Sequence, residues 1–341
     1  MTPEDVLRQA FEAQADRVEF APDALGSIRT RVGRRTHQRR LLTMSLASLA
    51  TAAAATATAV VVGLASCVPP DTDTAPLQPG APSGPVVPTS PSVPPHSGVI
   101  ARLPIYYIGV DRGRPVLFRE FHSQTLSEES LTTRMVEAVG IMLDGDALDP
   151  DYASSWPASA SVRSVELDGK VAVVDLAGAA VNGADPATAR AAVQQLVWTV
   201  TAVAADRGTQ LDGVRLLLDG KPVTTLWGNV NVSGTLTRAS AIETLAQLWL
   251  ISPQEGDTVP GTFDVHLDGA VWEATAVLRI RNAAGAVVDE KTVTLDIGAP
   301  SRGEAFVTVT LAPGRYTIEA FSRSAKDGSI VGLDNHAITV S

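Results

Sequence analysis

Cysteine is almost missing from this chain: among 341 residues only Cys67 carries a thiol. One thiol excludes an intramolecular disulfide, so whatever folds here is held by buried apolar surface. Histidine is scarce, at five residues. His96, His122, His266 and His336 stand far apart, with no second histidine or cysteine at ligand spacing, so no metal site is expected. There is no Gly-x-Ser-x-Gly stretch to hold a serine nucleophile on a strained turn, and neither an enzyme nor a bound cofactor is expected. Basic charge is short over most of the length: residues 69–341 hold 19 basic and 31 acidic side chains. That balance argues against nucleic-acid binding and against docking on an anionic membrane surface.

What the chain has instead is a long uncharged run. Leu41 to Val68 carries no ionisable side chain except Cys67, and Arg34-Arg35-Thr36-His37-Gln38-Arg39-Arg40 precedes it. As a helix the run would reach about 40 Å, enough to cross a hydrocarbon core of about 30 Å with some tilt. The basic flank belongs in the cytoplasm, which puts everything after Val68 outside. The run closes on Leu64-Ala65-Ser66-Cys67, which resembles the bacterial lipobox, whose cysteine becomes lipidated. A retained transmembrane helix and a lipoprotein anchored at Cys67 are both open readings. The length of the apolar run and of its leader favours the span. Both leave residues 69–341 outside and tethered.

Residues 1–40 are expected to be a cytoplasmic tail with a helix start at Thr2-Pro3-Glu4-Asp5 and too little apolar surface for a core. Ten of the 22 prolines fall between Pro69 and Pro95, so residues 69–98 read as a polyproline-rich linker. The 23 arginines against 4 lysines, with abundant alanine, fit a high-GC bacterial genome.

Residues 99–240 alternate strand and helix signals. Leu103–Val110 and Val116–Phe121 read as strands around an Asp111–Pro115 turn. A helix follows from Ser127-Glu128-Glu129 to Gly145. Val162–Leu167 and Val171–Leu176 form a hairpin around Asp168-Gly169, expected as a type I′ turn. Asp185-Pro186 opens a second helix with one apolar face (Ala189, Val193, Leu196, Val197, Val200, Ala204), stopped at Gly208. Val214–Leu218 is a last buried strand, turned by Asp219-Gly220. Helices with one greasy face over a sheet give a two-layer α+β domain. The order Ile105-Tyr106-Tyr107-Ile108, the Asp168-Gly169 hairpin into Val173-Val174-Asp175-Leu176, Gln195-Leu196-Val197-Trp198-Thr199 and Val214–Val223 together resemble a GerMN domain. That resemblance implies protein–protein assembly in the envelope and no catalysis.

Residues 241–341 read as an all-β immunoglobulin-like sandwich. Its strands are expected at Leu248–Ser252, Phe263–Leu267, Ala274–Arg281, Val287–Leu295, Glu304–Leu311, Tyr316–Ser322 and Ala337–Val340. Ser252-Pro253-Gln254-Glu255-Gly256-Asp257-Thr258-Val259-Pro260-Gly261, Glu273-Ala274-Thr275 and Pro313-Gly314-Arg315-Tyr316-Thr317 resemble the immunoglobulin-like domain of bacterial spore germination.

The remaining candidates are weak. Asp144-Gly145-Asp146-Ala147-Leu148-Asp149-Pro150-Asp151 fails the calcium-loop pattern, with Leu148 and Asp149 at its fifth and sixth positions, and reads as a solvated loop. Trp198, Trp227, Trp249 and Trp272 are read as core. The expected protein is a membrane-tethered, extracytoplasmic, non-catalytic platform that binds envelope proteins or cell-wall material. The alternative is a transmembrane transducer with an outer sensor and a regulatory tail.

Overall fold

The computed structural model describes residues 98–341. The expected tail, the uncharged run with Cys67, and the linker up to residue 97 lie outside the described residues, as does His96. Among the described residues no helix is long and apolar enough to cross a membrane. Strands dominate, and helices are few.

The first domain starts with two long strands, β1 (Val99–Asp111) and β2 (Arg114–Leu126), paired antiparallel throughout. Arg112 and Gly113 both take positive φ (50° and 76°), as a two-residue type I′ connection requires. Leu103, Ile105 and Tyr107 point to one face and Tyr106 and Ile108 to the other, yet all are buried. The second face is covered by a helix, and the Tyr106 amide donates to Oγ1 of Thr199 on it at 3.1 Å. One amide of β1 is thus satisfied by a side chain, while Ile108 pairs with Ala153 through the backbone.

Helix α1 (Leu131–Asp144) begins later than the expected Ser127, because Ser130 is the N-cap: its hydroxyl accepts from the Thr133 amide at 3.1 Å. Gly145, at φ 69°, closes it as expected. Helix α2 (Pro186–Asp206) has Asp185 as N-cap, accepting from the Ala187 and Thr188 amides. It is not limited to one buried face: Gln195, Thr199 and Thr201 are buried along with the apolar set.

Strands β3 (Ser161–Asp168), β4 (Val171–Ala177), β5 (Gly213–Leu218) and β6 (Lys221–Pro222) form a mixed sheet in that order. β4 and β5 run parallel, and α2 is the crossover that parallel pairing demands. The β3–β4 turn differs from expectation by one residue. Asp168 pairs with Val171, leaving Gly169-Lys170 as the loop, and only Gly169 takes positive φ (60°). Glycine at the first central position fits a type II′ turn, not I′. A small hairpin, β7 (Thr225–Leu226) with β8 (Val230–Asn231), and a short helix α3 (Ala241–Thr244) complete the domain.

The second domain is a sandwich. One sheet holds β9 (Leu248–Ser252), β11 (Thr262–Gly269) and β14 (Gly303–Thr310), with β11 central. The other runs β10 (Thr258–Val259), β16 (Ile330–Val340), β15 (Gly314–Arg323), β12 (Thr275–Asn282) and β13 (Val287–Thr294). Strand β16 begins at Ile330, well before the expected Ala337. Gly332, Asp334, His336, Ile338 and Val340 along it are all buried, with a register shift against β15 opposite Phe321. The polar members at its start hid it, because nothing within the sandwich sequence announces partners for them.

Strand β9 belongs to two cores. Leu248 and Leu250 pack among the sandwich residues. Trp249 and Ile251, on the opposite face, pack into the core of the first domain. A five-residue strand buried on both sides therefore joins the two domains into one compact unit.

Candidate functional site: the domain junction and its cleft

The junction is built by backbone as well as apolar packing. The Ala246 amide donates to the Leu117 carbonyl at 2.9 Å, and Leu117 bridges Leu245 in parallel. The Gln254 side chain then acts as a one-residue strand partner for β2. Its Oε1 accepts from the Phe121 amide at 2.5 Å, and its Nε2 donates to the Phe121 carbonyl at 2.7 Å. A primary amide carries donor and acceptor at the spacing a peptide unit offers, so glutamine satisfies both groups at once. Trp249 sits 6.5 Å from Phe118 between ring centroids, and Phe118 stacks on Tyr152 at 4.5 Å. The Arg302 guanidinium lies 4.0 Å over Trp249, held by Asp268 and by the Ala246 carbonyl at 2.8 Å.

Beside this aromatic stack lies a buried polar cluster. Asp149 comes from the loop after α1, and Asp334 and His336 from β16; each is 3% exposed. Tyr152 donates its hydroxyl to Asp334 Oδ1 at 2.5 Å, and the Leu250 amide donates to Oδ2 at 2.6 Å. Asp149 Oδ1 accepts from the Asp151 amide at 2.7 Å. His336 Nδ1 lies 2.7 Å from the Pro253 carbonyl, which can only accept, so Nδ1 carries a proton. That leaves Nε2 facing Asp149 Oδ2 at 3.8 Å and Asp334 Oδ2 at 4.0 Å. Burial pushes the Asp149 carboxyl up to about 7, and raises Asp334 as well. Nearby, Glu120 accepts from the Leu148 and Asp149 amides and pairs with His122 at 2.9 Å, fixing the loop that presents Asp149.

On the outside, both domains line a cleft of about 820 Å³. Arg112 comes from the first domain; Trp272, Glu273, Glu290, Lys291 and Arg323 come from the second. Trp272 is 72% exposed, on a 3₁₀ turn (Trp272–Ala274). Glu273 and Ala274 both hold left-handed backbone, at φ 56° and 52°. Two successive non-glycine residues there store strain, which persists only where the surroundings impose it.

The tryptophans expected in the core divide. Trp198 and Trp249 are buried, and Trp227 is half-buried against Trp156 at 5.2 Å with its Nε1 donating to the Ala179 carbonyl. Trp272 is the exception. The acidic loop is likewise not simply solvated: Asp149 is buried, accepting from the Asp151 amide, with a histidine of the other domain facing it. His122 and His266 each pair with a glutamate, Glu120 and Glu304. Cys67, the candidate lipidation site, lies outside the described residues.

Comparison with known families agrees with this division. Residues 104–224 match the family model described as Germane, sporulation and spore germination. Residues 247–329 match the immunoglobulin-like domain of bacterial spore germination. The chain carries a GerMN domain followed by a germination-type immunoglobulin-like domain. Neither description is that of an enzyme. Among solved structures, the first GerMN domain of the Bacillus subtilis sporulation protein GerM is 18% identical, with 41% of this chain and 98% of that one covered and a TM-score of 0.30. The tandem GerMN domains of the same protein are 9% identical over 44% of this chain and 50% of that one, at a TM-score of 0.30. A candidate lipoprotein from Clostridium perfringens is 16% identical over 40% of this chain and 87% of that one, at a TM-score of 0.29. No curated protein matches the chain. The family matches begin and end within the two structural domains, and the junction residues Trp249, Gln254 and Asp268 fall inside the second match.

Proposed function

We propose that residues 98–341 are the extracytoplasmic, non-catalytic binding platform of a membrane-tethered envelope protein related to germination proteins. Its partner is an envelope protein or cell-wall material, seated at the cleft around Trp272. The observation that carries this is the exposure of Trp272 on a strained turn at the rim of a cleft both domains line. A large aromatic left in water, at the rim of a cleft lined by charges of both signs, is what buried anchors of interfaces look like before the partner arrives. The tether is the uncharged run 41–68, retained as a span or processed to a lipid anchor at Cys67. Intact mass of the membrane-extracted protein separates these, an acylated N-terminus at Cys67 marking the second.

The test is a photo-crosslinking residue at position 272 in the full-length protein in cells, with mass spectrometry of the captured material. Crosslinks to envelope proteins or wall fragments support the platform and name its partner. Capture no greater from position 272 than from an exposed site outside the cleft lining, such as Val181 in the first domain, would overturn the cleft as the site.

A further inference from the structure

We propose that Asp149, Asp334 and His336 bind one divalent transition-metal ion, zinc being the best match, which pins the GerMN domain to the immunoglobulin-like domain. One carboxylate oxygen from each aspartate and one imidazole nitrogen lie within 4.8 Å of one another. One ligand comes from the first domain and two from the second, so the ion would bridge the junction. This proposal is independent of what the cleft binds.

The histidine carries the argument. It is 3% exposed, and its Nδ1 donates to the Pro253 carbonyl. That bond fixes the ring and aims the Nε2 lone pair at the two carboxylates, the arrangement by which metal-binding histidines are oriented. If the imidazole were a cation paired with these carboxylates, Nε2 would close to about 2.7–2.9 Å. It stands instead at 3.8 and 4.0 Å, too far for a hydrogen bond. Ligands held about 2.0–2.2 Å from a tetrahedral zinc are about 3.3–3.6 Å apart, so His336 needs to close on each carboxylate by only a few tenths of an ångström, and the two carboxylate oxygens, within 4.8 Å of each other, by at most about 1.5 Å.

Charge and support agree. Once both are ionised, the two buried carboxylates and a neutral imidazole sum to two negative charges, which a divalent ion cancels where water cannot. Each carboxylate is also oriented by donors that leave capacity for a metal: the Asp151 amide on Asp149, and the Tyr152 hydroxyl and Leu250 amide on Asp334. One nitrogen with two carboxylate oxygens suits zinc and its first-row neighbours better than magnesium or calcium, which prefer oxygen alone. Sequence spacing could not reveal the site, because Asp149 comes from one domain and Asp334 and His336 from the other.

The test uses full-length protein in detergent without a histidine tag, stripped with a chelator and titrated with Zn²⁺ by calorimetry. One ion per chain and a raised thermal midpoint are expected. His336→Ala and Asp149→Asn should each weaken binding at least about 100-fold. His266→Ala, which removes the imidazole of the half-exposed His266–Glu304 pair, should leave it unchanged. Absence of saturable binding, or binding that survives His336→Ala, overturns the proposal. Should the His336 variant fail to fold, X-ray absorption of zinc-loaded His266→Ala protein decides: one imidazole among oxygens supports the site, and oxygen ligands alone overturn it.

Discussion

Tyr152 of the GerMN domain donates its hydroxyl proton to Asp334 of the last immunoglobulin-like strand, at 2.5 Å, with both side chains buried. A phenol and a carboxylate that share a proton bridge in the interior bind two domains through one bond. Tyr152→Phe removes the donor and keeps the ring stacked on Phe118. The expected loss is about 1.5–3 kcal/mol, the range for hydrogen bonds to charged groups. Urea unfolding followed by tryptophan fluorescence measures it; a change under about 0.5 kcal/mol would mean Asp334 is satisfied without the tyrosine.

Gln254 is the second cross-domain contact that one substitution can isolate. Gln254→Ala leaves the Phe121 amide and carbonyl without their partners, and a cost of about 1–3 kcal/mol is expected. Gln254→Glu keeps the acceptor but sets a carboxylate oxygen against the Phe121 carbonyl. It should therefore be no better than alanine near neutral pH. Amide exchange at Phe121 reads the bond directly and should accelerate in the alanine variant.

Asp185 tests the start of the long GerMN helix. Burial raises its carboxyl, but the Thr188 hydroxyl and the Thr188 and Ala187 amides outweigh that and hold it below the ordinary value. A depressed folded pKa means its contribution is present above the unfolded value of about 3.9 and is lost as pH falls through the folded one. Asp185→Ala should cost about 1 kcal/mol near pH 7. Thermal melts of wild type and variant should converge as the pH is lowered below about 4. A gap that persists at lower pH would assign the effect to something other than the carboxylate.

Trp249 and Trp272 predict opposite outcomes from the same substitution. Trp249→Ala empties a site shared by two domains and should cost about 3–5 kcal/mol. Trp249→Phe should cost much less, because the buried Nε1 has no hydrogen-bond partner to lose. Trp272→Ala should change stability by less than about 0.5 kcal/mol, yet lower partner capture in cells. Chemical unfolding and crosslinking yield, measured on the same variants, separate the two roles.

What was legible in the sequence was whatever local chemistry decides. Asp185-Pro186 and Gly208 marked α2, and Gly145 stopped α1, because caps act within a turn of the residues they serve. Asp-Gly also suits a turn centre, so the sequence puts the β3–β4 turn one residue early, and only the pairing of Asp168 with Val171 excludes that. The first half of β16 is hidden in the sequence because Asp334, Asn335 and His336 break an apolar pattern. Two of them are buried by a loop from the other domain, and no short-range signal carries that information. Trp272 looked like Trp249 for a similar reason: exposure there is set by a left-handed turn at Glu273 and Ala274, which neither residue type favours.

The double-sided burial of β9 bears on ancestry and engineering. Two separately recognisable families are here mortised together, and neither half is a free cassette. Cutting between α3 and β9 would leave the GerMN piece without Trp249 and Ile251, and would bare that face of the immunoglobulin-like piece to water. A transplant of either half into another protein must bring along a surface that learned its shape from the other.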